Sequence, residues 1–136
     1  MLPSVHDDFL VSYEVNCATR QIKLRAKRDP RLPTASEEQT TRTIIFNGVE
    51  GYQFDNDAFE NIIFALKMVS VEDLLASYGQ QIMESYRLAG APGPWADDLA
   101  SAPHVLAAKG VQGFILSSSY GLSGWVLVKE AVVEIG

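Results

Sequence analysis

The chain has 136 residues, 47% of them apolar and 21% charged, with a net charge of −6. This composition predicts one packed domain over 1–136 and excludes wholesale disorder. An acidic surface repels phosphate backbones, so nucleic acid is disfavoured as a partner.

The charge is unevenly placed. Residues 1–42 carry seven bases against six acids, and residues 43–136 carry four against eleven. The larger, C-terminal part is therefore the acidic one, and it favours a basic partner. The single cysteine, Cys17, cannot close an internal disulfide. The first residues lack a basic segment followed by an apolar run. Together these features predict a cytoplasmic protein. No apolar run reaches the roughly 20 residues that a membrane helix needs, so no membrane association is expected.

Phe9-Leu-Val-Ser-Tyr-Glu-Val15 alternates with a period of two. It predicts a strand with Phe9, Val11, Tyr13 and Val15 on one buried face. After a polar turn, Gln21 to Lys27 alternates again, with Ile22, Leu24 and Ala26 inward and a basic outer row. The two strands form a hairpin whose lysines and arginines would protect an exposed edge. Asp29 to Gln39, with Pro30 and Pro33, reads as a loop. Arg42 to Val49 resumes strand character, and Gly48 and Gly51 then mark a bulge or tight turn.

Phe59 to Val69 fits both a buried strand and a helical spacing. A strand from about Asn61 to Val69 is favoured, because Ser70-Val-Glu-Asp73 follows with the pattern of a helix start. Leu74, Leu75, Tyr78, Ile82 and Tyr86 recur at helical intervals, which predicts a helix over about 71–88 that ends at Gly90. Ala91 to Trp95 reads as loop. Ser101 is placed to cap a short helix from Ala102 to Lys109. The chain closes on a hairpin from Gly113 to Ile135, reversing at the glycines 121 and 124. The predicted class is α+β: a mainly antiparallel sheet of about five or six strands, with one long and one short helix.

Catalytic signatures are weak. His6-Asp7-Asp8 sets an imidazole beside two carboxylates, but neighbours on an extended chain point in opposite directions. His104 falls in a helical first turn. Asp55, Asp57 and Glu60 lack the ligand spacing of a calcium loop. Ser117 to Ser119 and Ser123 lack a nucleophile elbow. Gly48 to Gly51 lacks the lysine of a phosphate loop. No catalytic residue, metal site or cofactor is predicted. The carboxylates Glu50, Asp55, Asp57, Asp97 and Asp98 instead suggest steering of a cationic partner. Tyr52, Trp95, Tyr120 and Trp125 lie near glycines or loops and suggest apolar anchors.

Three segments carry a resemblance: Phe46-Asn-Gly-Val-Glu-Gly-Tyr-Gln-Phe54, Asn61-Ile-Ile-Phe64, and Ser118-Ser-Tyr-Gly-Leu-Ser-Gly-Trp125. Together they resemble a small uncharacterised bacterial α+β family. More distantly they are similar to immunity-type proteins of polymorphic-toxin systems. The resemblance transfers no catalytic residue. It implies a non-enzymatic interaction module that blocks a basic protein partner by occlusion. Two other expectations are a small-ligand-binding or enzymatic domain with a pocket between sheet and helix, and a homodimer built by strand pairing.

Overall fold

Six runs of extended residues form β1 (Phe9–Asn16), β2 (Gln21–Lys27), β3 (Thr41–Asp55), β4 (Ile62–Val69), β5 (Gln112–Tyr120) and β6 (Ser123–Ile135). Two helices, α1 (Val71–Ala89) and α2 (Ala102–Ala108), sit between β4 and β5. The computed structural model describes residues 5, 7–28 and 41–135. The predicted loop at 29–39 and the imidazole of His6 lie outside the described residues.

The open α+β sheet expected from the sequence is corrected by the topology. All neighbouring strands pair antiparallel, in the order β1-β2-β3-β6-β5-β4, and the ring closes into a barrel. Phe9 stands opposite Ile62 at the closing seam. Backbone bonds lock it: Asp7 N donates to the Ile63 carbonyl at 2.7 Å, Leu10 N to that of Asn61 at 2.8 Å, and Ile63 N to that of Asp8 at 3.0 Å. About half of the described residues are in strands, and the helices form a minor outer layer.

The buried face of β1 also differs from expectation. Leu10 is buried and Val11 is 60% exposed. The register slips between Leu10 and Ser12, leaving Val11 as an extra residue against β2. A bulge of this kind inverts the alternation on one side of it. Beyond it, Tyr13 faces Leu24 and Val15 faces Ile22, as a period of two requires.

Closure fills the barrel with side chains. Leu10, Ile22, Leu24, Ile44, Phe46, Ile63, Phe114, Leu116 and Val126 are among those packed inside. Phe46 and Phe114 meet edge to face, with ring centroids 5.3 Å apart. A six-stranded barrel is too narrow to leave a lumen once such residues occupy it.

A second apolar cluster forms outside. Alternation sends Trp125 and Leu127 of β6 outward, where they pack with Leu74, Leu75 and Ile82 of α1 and Leu106 of α2. Ser70 caps α1, its hydroxyl accepting from Asp73 N at 3.0 Å, and Gly90 ends the helix by donating to the Tyr86 carbonyl. Ser70→Ala is expected to lower stability by about 1 kcal/mol, read as a lower urea midpoint with an unchanged slope. Ser101 makes no cap for α2; its hydroxyl donates to Asp98 instead.

The β3–β6 ladder is the longest, running from Arg42 opposite Ile135 to Asp55 opposite Ser123. Its register slips between Val49 and Gly51, so Glu50 is extra. Gly124 is required by this ladder. A β-carbon there would lie 1.8 Å from the Gln53 carbonyl oxygen, inside any contact distance. β2 covers β3 only from Thr41 to Asn47. Beyond that, Val49 N donates to the Arg20 carbonyl at 3.0 Å. Among the described residues no strand lies on that side of Gly51–Asp55. This uncovered length of β3 is where a cavity opens.

Candidate functional site

The cavity is about 300 Å³ and lies at the end of the barrel marked by the β1–β2 turn. Four separate parts of the chain wall it. Val15, Asn16, Cys17 and Arg20 come from the end of β1 and the turn. Val49, Glu50, Gly51, Tyr52 and Gln53 come from the bulged part of β3. Ile82 and Ser85 come from α1, and Ala91 and Pro92 from the segment after it. Trp125 of β6 completes the wall.

Local sequence explains each placement. Asn16 Oδ1 accepts from Ala18 N and Thr19 N, both at 3.1 Å, and so builds the turn. The bulge at Glu50 swings β3 outward past the end of β2. Gly51 lets Pro92 close over the strand: a β-carbon there would sit 2.6 Å from the proline Cβ. The helical period brings Ile82 and Ser85 to the same face of α1.

Arg20 and Glu50 are the charged residues of this wall among those described. Glu50 is engaged: Lys109 Nζ donates to its Oε1 at 2.7 Å, and its side chain is only 14% exposed. Arg20 is not matched by any carboxylate among the described residues. Its Nη1 reaches the Val49 carbonyl at a long 3.5 Å. With Lys109 cancelling Glu50, the site carries one net positive charge.

The residues nominated from sequence divide between this site and elsewhere. Glu50, Tyr52 and Trp125 come together in the cavity wall. Tyr52 is 41% exposed and packs on Phe54 with centroids 5.4 Å apart. Trp125 is 3% exposed and belongs to the outer core. Its indole N–H is buried with no acceptor among the described residues, as is that of Trp95, so the ring of Trp125, rather than its polar edge, faces the cavity. Trp95 lies in the outer core beneath α1.

The other carboxylates lie apart and are occupied locally. Asp55 neighbours the Gln53 amide at 3.5 Å. Asp57 accepts from the Tyr13 hydroxyl at 2.8 Å, and that bond holds the tyrosine above its usual pKa range. Asp97 pairs with Arg87 at 3.1 Å. Asp98 accepts from the Ser101 hydroxyl at 2.9 Å and from Ala100 N at 3.0 Å, and these donors hold its carboxyl below the usual range. Tyr120 is 59% exposed at the far end of β5, opposite Ile62. Of the nominated acids Glu50 alone lines the cavity.

Sequence reading missed Arg20, Ser85 and Pro92 as cavity residues. Arg20 carried one signal in retrospect, as a bulky side chain in a turn otherwise made of small residues. Nothing local tells that Pro92 meets Gly51.

A second depression lies beside β1, lined by Val11, Tyr13, Asp57 and Phe59 among others. It is walled by one strand and one turn, and two of its polar groups, Tyr13 and Asp57, satisfy each other. Among the described residues no group of three or more His, Cys, Asp or Glu could hold a metal ion. No helix among them is long and apolar enough to cross a membrane. Comparisons with protein-family models, curated proteins and solved structures return no match.

Proposed function

We propose that this protein is a small-ligand-binding module whose site is the cavity between the barrel wall and α1. One observation carries the reading. Four distant parts of the chain converge on a concave space with apolar and polar wall residues and a cation, Arg20, unmatched among the described residues. Pockets that bind small molecules have this form: mostly apolar walls with few polar groups, at about 300 Å³ or more. Steering of a basic protein by carboxylates has less geometry behind it. Glu50, Asp57, Asp97 and Asp98 already have partners within the chain.

The test is a thermal-shift screen with fragments of each charge type, run on the native chain and on Ser85→Trp. Ser85 is half-buried on the cavity side of α1, so an indole there fills the space. A binder raises the melting temperature by mass action. At least one fragment is expected to raise it by several degrees in the native chain and to leave S85W unmoved. Equal shifts in both proteins, or none in the native chain, would contradict the reading. Far-UV circular dichroism checks that S85W is folded.

A further inference from the structure

Resting on that reading, we infer that the cavity selects an anion: a small ligand with an apolar body and a single carboxylate, which Arg20 holds.

The first ground is charge. The site carries one uncompensated positive charge, because the Lys109–Glu50 pair is internally neutral and Arg20 has no acid partner among the described residues. A guanidinium presents five N–H donors in a fixed plane and grips a carboxylate through two parallel bonds. The Val49 carbonyl takes up only one of these donors, weakly.

The second ground is backbone conformation. Among the described residues three non-glycines have positive φ: Asp7, Arg20 and Asn56. Aspartate and asparagine tolerate that region because their short side chains bond locally. Arginine has no such help, yet Arg20 sits at φ 52°. Turn geometry alone would favour asparagine or glycine there. A residue held in a costly conformation beside a cavity points to a role for its side chain.

The third ground is the rest of the wall. Val15, Val49, Ile82, Pro92 and the rings of Tyr52 and Trp125 make much of it apolar, and Arg20 is its one cation among the described residues, so nothing there neutralises a second anionic charge. The second carboxylate of a dianion would be desolvated there without a cationic partner. One carboxylate on a flat or aliphatic body fits.

The test uses three matched probes: 1-naphthoate, 1-naphthamide and 1-naphthylmethylamine. Dissociation constants are measured by ligand-observed NMR at low millimolar protein-compatible concentrations. Naphthoate is expected to bind at least about tenfold tighter than the amide, and the amine weakest. Arg20→Asn keeps a residue suited to positive φ and is expected to weaken naphthoate far more than the amide, removing most of the difference between them. Arg20→Lys is expected to restore most of the preference. If the amide or the amine binds the native chain as tightly as naphthoate, and S85W abolishes it, the anion inference falls while the cavity reading stands. If no probe binds the folded native chain, both fall. If R20N weakens all three probes equally, the side chain shapes the site without selecting charge, and the inference is again overturned.

Discussion

Phe46→Ala is expected to cost about 3–5 kcal/mol, the range for deleting a buried aromatic side chain. Phe46 has no exposed surface and lies inside the closed ring, edge-on to Phe114. Its strand is held on both sides, by β2 through Ile22 and by β6 through Ala131. A flat sheet covered on one face can sag into a void. A barrel cannot, because each strand is bonded to two neighbours all the way round, and the cavity term is retained. Domains of this size have a total stability of only about 5–15 kcal/mol. The urea midpoint of Phe46→Ala should therefore fall by a large fraction of its native value. A cost below about 1.5 kcal/mol, typical of a volume-conserving swap, would mean that the interior is not packed as described.

The second large effect lies at the opposite end of the barrel from the cavity. Asp8 is fully buried, with Arg42 Nη1 donating to its Oδ2 at 3.2 Å and Arg28 Nε standing 3.7 Å from Oδ1. Arg42 reaches across from β3 and Arg28 from the end of β2, so the ionic cluster ties three chain segments together at the closing seam. Burial pushes the Asp8 carboxyl above the usual carboxylate range, outweighing both guanidiniums, which pull it down. The native state thus holds the Asp8 proton more tightly than the unfolded chain does. The contribution to stability is then greatest below the unfolded pKa and declines as pH rises through the folded one.

Arg42→Met removes the nearer guanidinium and raises that folded pKa further. Removing one partner of a buried ion pair costs about 3–5 kcal/mol, and Arg28 remains to soften it, so about 3 kcal/mol is expected at neutral pH. The loss should shrink as the pH is lowered from neutral into the acid range, where Asp8 takes up a proton. Urea titrations of R42M and the native chain at neutral and at acid pH measure the difference. In an Asp8→Asn background the pH dependence of the Arg42→Met cost should shrink. An equal cost at both pH values with Asp8 present would contradict the account.

How far the sequence discloses this molecule follows from the range of the forces involved. Period-two runs at Gln21–Lys27 and helical spacing at Leu74, Leu75, Ile82 and Tyr86 are local, and strands and a helix stand at those places. Ring closure is not local. An open antiparallel sheet and a closed barrel share the same alternation, and closure rests on backbone bonds from Asp7, Leu10 and Ile63 that any residue but proline could make. The Val11 bulge is silent for the same reason. Its residue is apolar and β-branched, and only the register reveals that it points outward.

The site was legible in fragments. Tyr52 and Trp125 were nominated as aromatics beside glycines, and Glu50 as a carboxylate. Their convergence depends on β3 running past β2 and on Pro92 folding onto Gly51, both tertiary events. Arg20 reads in the sequence as part of a polar turn, because the positive φ that sets it apart belongs to the folded turn. Asp97 and Asp98 illustrate the converse. They are adjacent acids by sequence, yet one is paired with Arg87 and the other bonds the start of α2.

The most direct measurement maps amide chemical shifts of the native chain during titration with 1-naphthoate. The amides of Arg20, Tyr52 and Ser85, which lie on three different elements, should move together along one binding curve. Movement confined to Val11 and Phe59, or scattered over the surface without saturation, would contradict a binding site in this cavity.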